Sequence, residues 1–228
     1  MAATFKALAA LLTYPTAELQ AAAVDIGAVI AGEGLVAPAA RRALAALITD
    51  LDVRDLYDLQ ERYVEQFDKT RRLSLNLFEH VHGESRDRGQ AMVDLAHLYE
   101  ADGLSPAGGE LPDYLPLFLE FLSTRPLAAA TALLADTAPI LAALGDRLAE
   151  RASPYAAVFR ALVGLAGAEA VAPADLAEPG DLDAEWEEAA VTFGPGAARD
   201  GCSTDRLRTR LRAARRDVRG DVPRPAAP

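Results

Sequence analysis

The stretch PDYLPLFLEFLS, residues 112–123, decides the fold. Leu115, Leu117, Phe118, Leu119, Phe121 and Leu122 would cover nearly every side of a helix, and a helix apolar all round belongs at the centre of a helical domain. Pro116 falls early enough to sit in or near the first turn, where its missing N–H costs little. The flanking sequence repeats this grammar. Upstream, Phe5, Leu8, Leu11 and Leu12 follow a helical period that Tyr14-Pro15 stops. Thr16 is placed to N-cap a helix running to the Gly32/Gly34 break. Pro38 opens a helix carrying Leu44, Leu47 and Leu51, and Asp52 is the expected cap of one bearing Leu56, Leu59, Tyr63 and Phe67. A further helix is predicted over 73–81, ending at Gly83. Ser85 then caps one with Met92, Leu95, Leu98 and Tyr99 that stops near Gly103. Downstream, helix starts are predicted at Pro126, at Thr137 with Pro139, and at Ser153-Pro154.

No segment shows sustained period-two alternation between hairpin turns, so strands are not expected. Leucine (33 residues) outnumbers valine and isoleucine together (17), a bias that suits helices, and only 6% of residues are aromatic. The predicted fold is therefore all-α. A single compact multi-helix domain over 1–170 is followed by a linker with a short acidic segment over 171–202, then a mobile basic tail over 203–228. In that tail Leu207, Leu211, Ala214 and Val218 would share one face of an Arg-rich amphipathic helix. Such a helix could also work as an adaptor on anionic lipid.

Charge is unevenly spread over the 228 residues. The net value is −11, yet the last 26 residues hold eight Arg and three Asp. The other 202 carry fifteen basic and thirty-one acidic side chains, a net of −16. A body so acidic repels nucleic-acid backbone and attracts a basic partner. One cysteine, Cys202, permits no internal disulfide and no cysteine metal cluster. No apolar run approaches the roughly 18 residues of a bilayer span, and no A-x-A cleavage site follows the short apolar start. These features predict a cytoplasmic protein without stable membrane insertion.

Phosphate-loop, zinc-protease, nucleophile-elbow and dinucleotide motifs are all missing. The enzymatic alternative is a helical metal-dependent hydrolase built on His80, His82 and His97 with nearby carboxylates such as Glu79 and Asp94. His80 and His82 diverge by about 200° on a helix and chelate together only if the chain becomes extended there. Near a helix C-terminus their protonated forms would be favoured. The densest mixture of polar and apolar signals is YVEQFDKTRRLSLNLFEHVHGESRDRG, residues 63–89. Its charges read either as a solvated face of weak ion pairs or as the rim of a binding site.

That stretch extended to YVEQFDKTRRLSLNLFEHVHGESRDRGQAMVDL, together with ELPDYLPLFLEFLS and AEWEEAAVTF around Trp186, resembles the nitrate reductase delta-subunit family of molybdenum-cofactor assembly chaperones. The likeness runs from LLTYP at 11–15 to about Phe193 and leaves out the basic tail. It implies an all-helical cytoplasmic chaperone that is not an enzyme and carries no cofactor or metal of its own. Such a chaperone grips the N-terminal segment of the apo catalytic (alpha) subunit of respiratory nitrate reductase. It supports molybdenum-cofactor insertion before membrane docking, and the resemblance adds cofactor-synthesis proteins as expected further partners. The resemblance places peptide contacts at Tyr63, Phe67, Asp68, Glu79, His80, Arg86, Asp113 and Tyr114. Asp113 would accept hydrogen bonds or pair with a basic peptide residue, and Tyr114 stands where such chaperones often have His.

Overall fold

In the computed structural model, residues 1–82, 86–105 and 109–167 are described, without the side chains of 81, 82, 86 and 87. The expected linker and tail, with Trp186 and Cys202, lie outside the described residues.

Ten α-helices are described: α1 (Ala3–Leu11), α2 (Ala17–Ala21), α3 (Ala23–Glu33), α4 (Pro38–Val53), α5 (Leu56–Tyr63), α6 (Glu79–His82), α7 (Arg86–Ala101), α8 (Leu115–Thr124), α9 (Leu127–Glu150) and α10 (Ala156–Leu165). Among the described residues there is no strand, only one antiparallel bridge between Asn76 and Tyr114. The all-α expectation holds.

The helix α8 sits where its composition places it. Leu115, Leu119 and Leu122 are completely buried, with α1 packed along it. A cap from another helix braces α1, whose own N-cap, Ala2, has no side chain for the task. The carboxylate of Glu33, at the end of α3, accepts hydrogen bonds from the Ala3 and Thr4 amides at 2.8 Å and from the Thr4 hydroxyl at 2.6 Å. The Thr4 hydroxyl, then the two amides, hold this carboxyl below its ordinary range despite some desolvation.

Several boundaries differ from expectation. Thr16 does cap, accepting from the Leu19 amide at 3.2 Å, but its helix is divided at Ala22 into α2 and α3. The cap of α5 is Asp55, which accepts from the Tyr57 amide at 2.9 Å, and not Asp52, which lies inside α4. Pro139 does not start a helix, because α9 runs unbroken through it for 24 residues. Packing of α9 against α10 outweighs the one hydrogen bond the proline removes.

By length and composition α9 could cross a membrane, contrary to the expectation that no such stretch exists. Here Ala130, Leu134, Leu141, Leu144 and Leu148 turn into the core.

The helix predicted over 73–81 is replaced by a 3₁₀ turn (Arg71–Leu73), a stretch without helix over 74–78, and the four-residue α6. Its backbone finds partners in the lead-in to α8. The Leu77 amide donates to the Asp113 carbonyl at 3.0 Å, and the Leu115 amide donates to the Leu75 carbonyl at 2.8 Å. Non-local bonds of this kind leave no trace in local periodicity.

Candidate functional site

The helix α5 runs directly into a π-helical turn, Val64–Asp68, in which the Lys69 amide reaches back to the Val64 carbonyl at 3.1 Å. Such turns are uncommon and recur at functional sites. This one sets the Tyr63 and Phe67 rings 5.0 Å apart and leaves Asp68 exposed beyond them. Tyr155 closes on both rings, with centroids 6.3 Å from Tyr63 and 5.0 Å from Phe67. The Arg62 guanidinium lies 5.7 Å above the Tyr155 ring. Tyr14, in the break after α1, stands edge-on to Tyr63 at 5.6 Å.

Two adjoining cavities open at this cluster. The smaller, about 290 Å³, is lined by Tyr63, Phe67, Asp68, Ser74, Leu75 and Asn76 together with Tyr14, Glu110 and Tyr114. The larger, about 660 Å³, shares those last three residues and continues over Tyr99, Leu104, Pro116, Leu117 and Phe121. Glu120 and Lys6 stand at its edge. The pair forms a groove with an aromatic and aliphatic floor and carboxylates along its rim. The dimensions suit a row of side chains from one helix face.

Buried hydroxyls fix the floor. Tyr63 donates to the Leu12 carbonyl at 3.0 Å, and its hydroxyl lies 3.4 Å from that of Tyr114. Tyr99 donates to the Pro112 carbonyl at 2.7 Å. Burial raises the pKa of all three phenols, so each stays protonated as a donor.

Four expected site residues, Tyr63, Phe67, Asp68 and Tyr114, thus meet at one cavity. Three others do not line it. Asp113 is fully buried, so it is not on the rim. One of its carboxylate oxygens accepts from the Phe78 amide at 2.9 Å, while the other has no hydrogen-bond partner. Burial pushes this carboxyl above its ordinary range, with the Phe78 amide and nearby Arg88 opposing the shift.

His80 is also buried, its Nε2 lying 2.8 Å from the Ser74 carbonyl. Desolvation lowers its pKa, against the Ser74 bond, which favours the cation. The expectation of a protonated helix-terminal His80 is therefore corrected: the ring is neutral at pH 7, with Nε2–H as donor. Glu79 pairs with Arg88 at 3.2 Å and lines neither cavity among the described residues. The Arg86 side chain lies outside the described residues, as does that of His82.

Among the described residues, no group of three or more His, Cys, Asp or Glu side chains could hold a metal ion. His97 is exposed on α7, whereas the buried ring of His80 is bonded to the Ser74 carbonyl.

Sequence reasoning missed Tyr14, Tyr99, Glu110, Leu117, Glu120 and Phe121. The signal for Tyr14 was available, since an aromatic in a Pro-terminated helix break is held outside the regular packing. For α8, the apolar excess concealed that Leu117 and Phe121, a turn apart, face a cavity.

Among the described residues the chain is an all-helical domain with an aromatic groove. The family model described as nitrate reductase delta subunit matches residues 33–161. The Escherichia coli K12 nitrate reductase molybdenum cofactor assembly chaperone NarJ is 45% identical over 192 residues, covering 80% of this chain and 81% of that protein. The probable chaperone NarW of the same organism is 51% identical over 147 residues, 60% of this chain and 64% of that one. The probable NarJ of Bacillus subtilis is 32% identical over 163 residues, 70% and 86% of the two chains. The chain belongs to the nitrate reductase delta-subunit family, whose members among these relatives are named as assembly chaperones and not as enzymes.

Proposed function

We propose that this protein is an assembly chaperone for respiratory nitrate reductase. It holds the N-terminal segment of the apo catalytic subunit as an amphipathic helix lying in the groove around Tyr14 and Tyr114. Apolar anchors on the peptide fill the floor and supply most of the affinity. Asp68, Glu110 and Glu120 on the rim steer a basic segment and add dependence on salt. Tyr63, Phe67 and Tyr114 make the contact surface. Asp113, His80 and Glu79 hold that surface in shape, and Arg86 belongs to the adjoining helix start.

The protein works in the cytoplasm, keeping the catalytic subunit from docking at the membrane until the molybdenum cofactor is in place. Cofactor-synthesis proteins are its second class of partner in this reading. The observation that carries it is the acid-rimmed aromatic groove in a chain of this family.

The test is a chromosomal deletion complemented by the full chain or by a Tyr114→Asp, Leu117→Asp variant. Reductase purified from the deletion strain should lack molybdenum, the full chain should restore it, and the groove variant should not. Normal molybdenum content in the deletion strain would remove the proposal.

A further inference from the structure

The two cavities share Tyr14, Glu110 and Tyr114 as walls, so these residues form a ridge between them. Tyr114 is the fixed part. Its backbone bridges to Asn76, its amide donates to the Leu111 carbonyl at 3.0 Å, and its hydroxyl lies against that of Tyr63. Tyr14 completes the ridge from the other side, 45% exposed and braced edge-on against Tyr63.

The compartments on either side differ chemically. The smaller one has Asp68 and Glu110 in its wall with Ser74 and Asn76, and no basic side chain among its described lining residues. The larger one has Tyr99, Leu117 and Phe121 as floor, and Lys6 offsets Glu110 and Glu120 at its edge. A cation therefore gains most in the smaller compartment, and a bulky apolar group in the larger.

Residues on one helix face recur every three or four positions, about one turn. A helix laid across compartment, ridge and compartment presents three successive positions of one face. We infer that the Tyr14–Tyr114 ridge imposes a reading frame on the bound helix: Lys or Arg at i, a small residue at i+3 or i+4 over the ridge, and a large apolar residue at i+7 or i+8. The positive end of the helix dipole favours the carboxylates, so the helix N-terminus points toward Asp68 and Glu110. This rests on the proposed peptide-binding role and adds what the groove selects.

The test is calorimetric titration of the full chain with a synthetic N-terminal peptide of its reductase catalytic subunit. Each peptide position is replaced in turn by Leu, and each basic residue by Gln. One basic residue should lose about tenfold in affinity at low salt when made Gln, and that loss should vanish in an Asp68→Asn, Glu110→Gln chain. Three or four positions further on, Leu should be rejected about tenfold by the wild-type chain and accepted by Tyr14→Ala. Binding of the unmodified peptide with Leu tolerated at every position overturns the reading frame and leaves the chaperone role standing. The same holds if neutralising Asp68 and Glu110 leaves the basic residue's contribution unchanged. No binding of the unmodified peptide overturns both. The Leu scan is read on the wild-type chain and does not depend on folding of a variant.

Discussion

The corner where α4, α9 and α10 meet and the groove around Tyr14 are built by opposite means. In the corner, regular helices approach through small residues: Ala39, Ala40, Ala43, Ala142, Gly145 and Gly164 line a cavity of about 450 Å³. A Cβ built at Gly145 would stand 3.1 Å from Phe159 Cβ, so the closeness of α9 and α10 depends on that glycine. Around the groove, by contrast, the 3₁₀ turn, the stretch over 74–78, the end of α1 and the lead-in to α8 leave backbone groups that side chains satisfy. Asp113 serves Phe78, His80 serves Ser74, Tyr63 serves Leu12, Tyr99 serves Pro112, and Arg147 donates to the Arg72 carbonyl at 3.0 Å. The corner supplies stability by burial. The groove gives up regularity to hold an open surface in one shape, so damage should separate the two regions by what is lost.

The largest effect is expected from Phe159→Ala in the corner, where the ring is fully buried. It should lower stability by about 3–5 kcal/mol in urea unfolding, while the folded fraction keeps its affinity for the reductase peptide. A comparable loss of affinity would show that the corner takes part in binding.

Asp113→Ala should reverse the pattern. Stability falls by about 1–3 kcal/mol through the unsatisfied Phe78 amide, and peptide affinity falls with it. Asp113→Asn keeps an acceptor for that amide and should bind like the wild type. If Ala at 113 leaves affinity intact, the groove does not depend on its support.

Glu33→Ala removes the cap of α1, at a residue that lines neither the groove nor the corner cavity. A loss of about 1 kcal/mol in thermal unfolding is expected, with binding unchanged.

The smallest effect at neutral pH belongs to His80. Its folded pKa lies below the unfolded value of about 6.5, so the unfolded chain binds the extra proton first. The stability it contributes is fully present above that value and is lost as pH falls toward the depressed folded pKa. Asp113 has the opposite sign. Its raised carboxyl gives stability that is full below the ordinary carboxylate range and disappears as pH rises through the folded value. Urea midpoints from pH 7.5 down to 5 should therefore fall less in His80→Asn than in the wild type. An unchanged slope would contradict the assignment of His80 as a neutral buried donor.

The same contrast explains what the sequence disclosed. The corner and the centre were legible because burial writes a period: Leu115, Leu119 and Leu122 on α8, or Leu44, Leu47 and Leu51 on α4, mark helices and their inward faces. Pro38 and Pro126 marked starts for equally local reasons. The groove was legible in its residue types but not in its geometry. Tyr63, Phe67, Asp68 and Tyr114 line one cavity, yet nothing local distinguishes Asp113, buried and bonded to the Phe78 amide, from Asp68 on the rim. Both are single carboxylates in mixed sequence, and Asp113 takes its backbone partner from 35 residues away. The helix expected over 73–81 failed for the same reason, since the α8 lead-in competes for its backbone. Pro139 shows the converse, a local start signal overridden by packing along α9.

The measurement that tests this account most directly is hydrogen–deuterium exchange on the full chain with and without the N-terminal peptide of the reductase catalytic subunit. Protection is expected at Thr13–Tyr14, through the π turn and on to Asn76, and from Glu110 to Phe121, while α4, α9 and α10 exchange as in the free protein. Protection centred on the α4–α9–α10 corner, with the Tyr14–Tyr114 ridge unchanged, would contradict it.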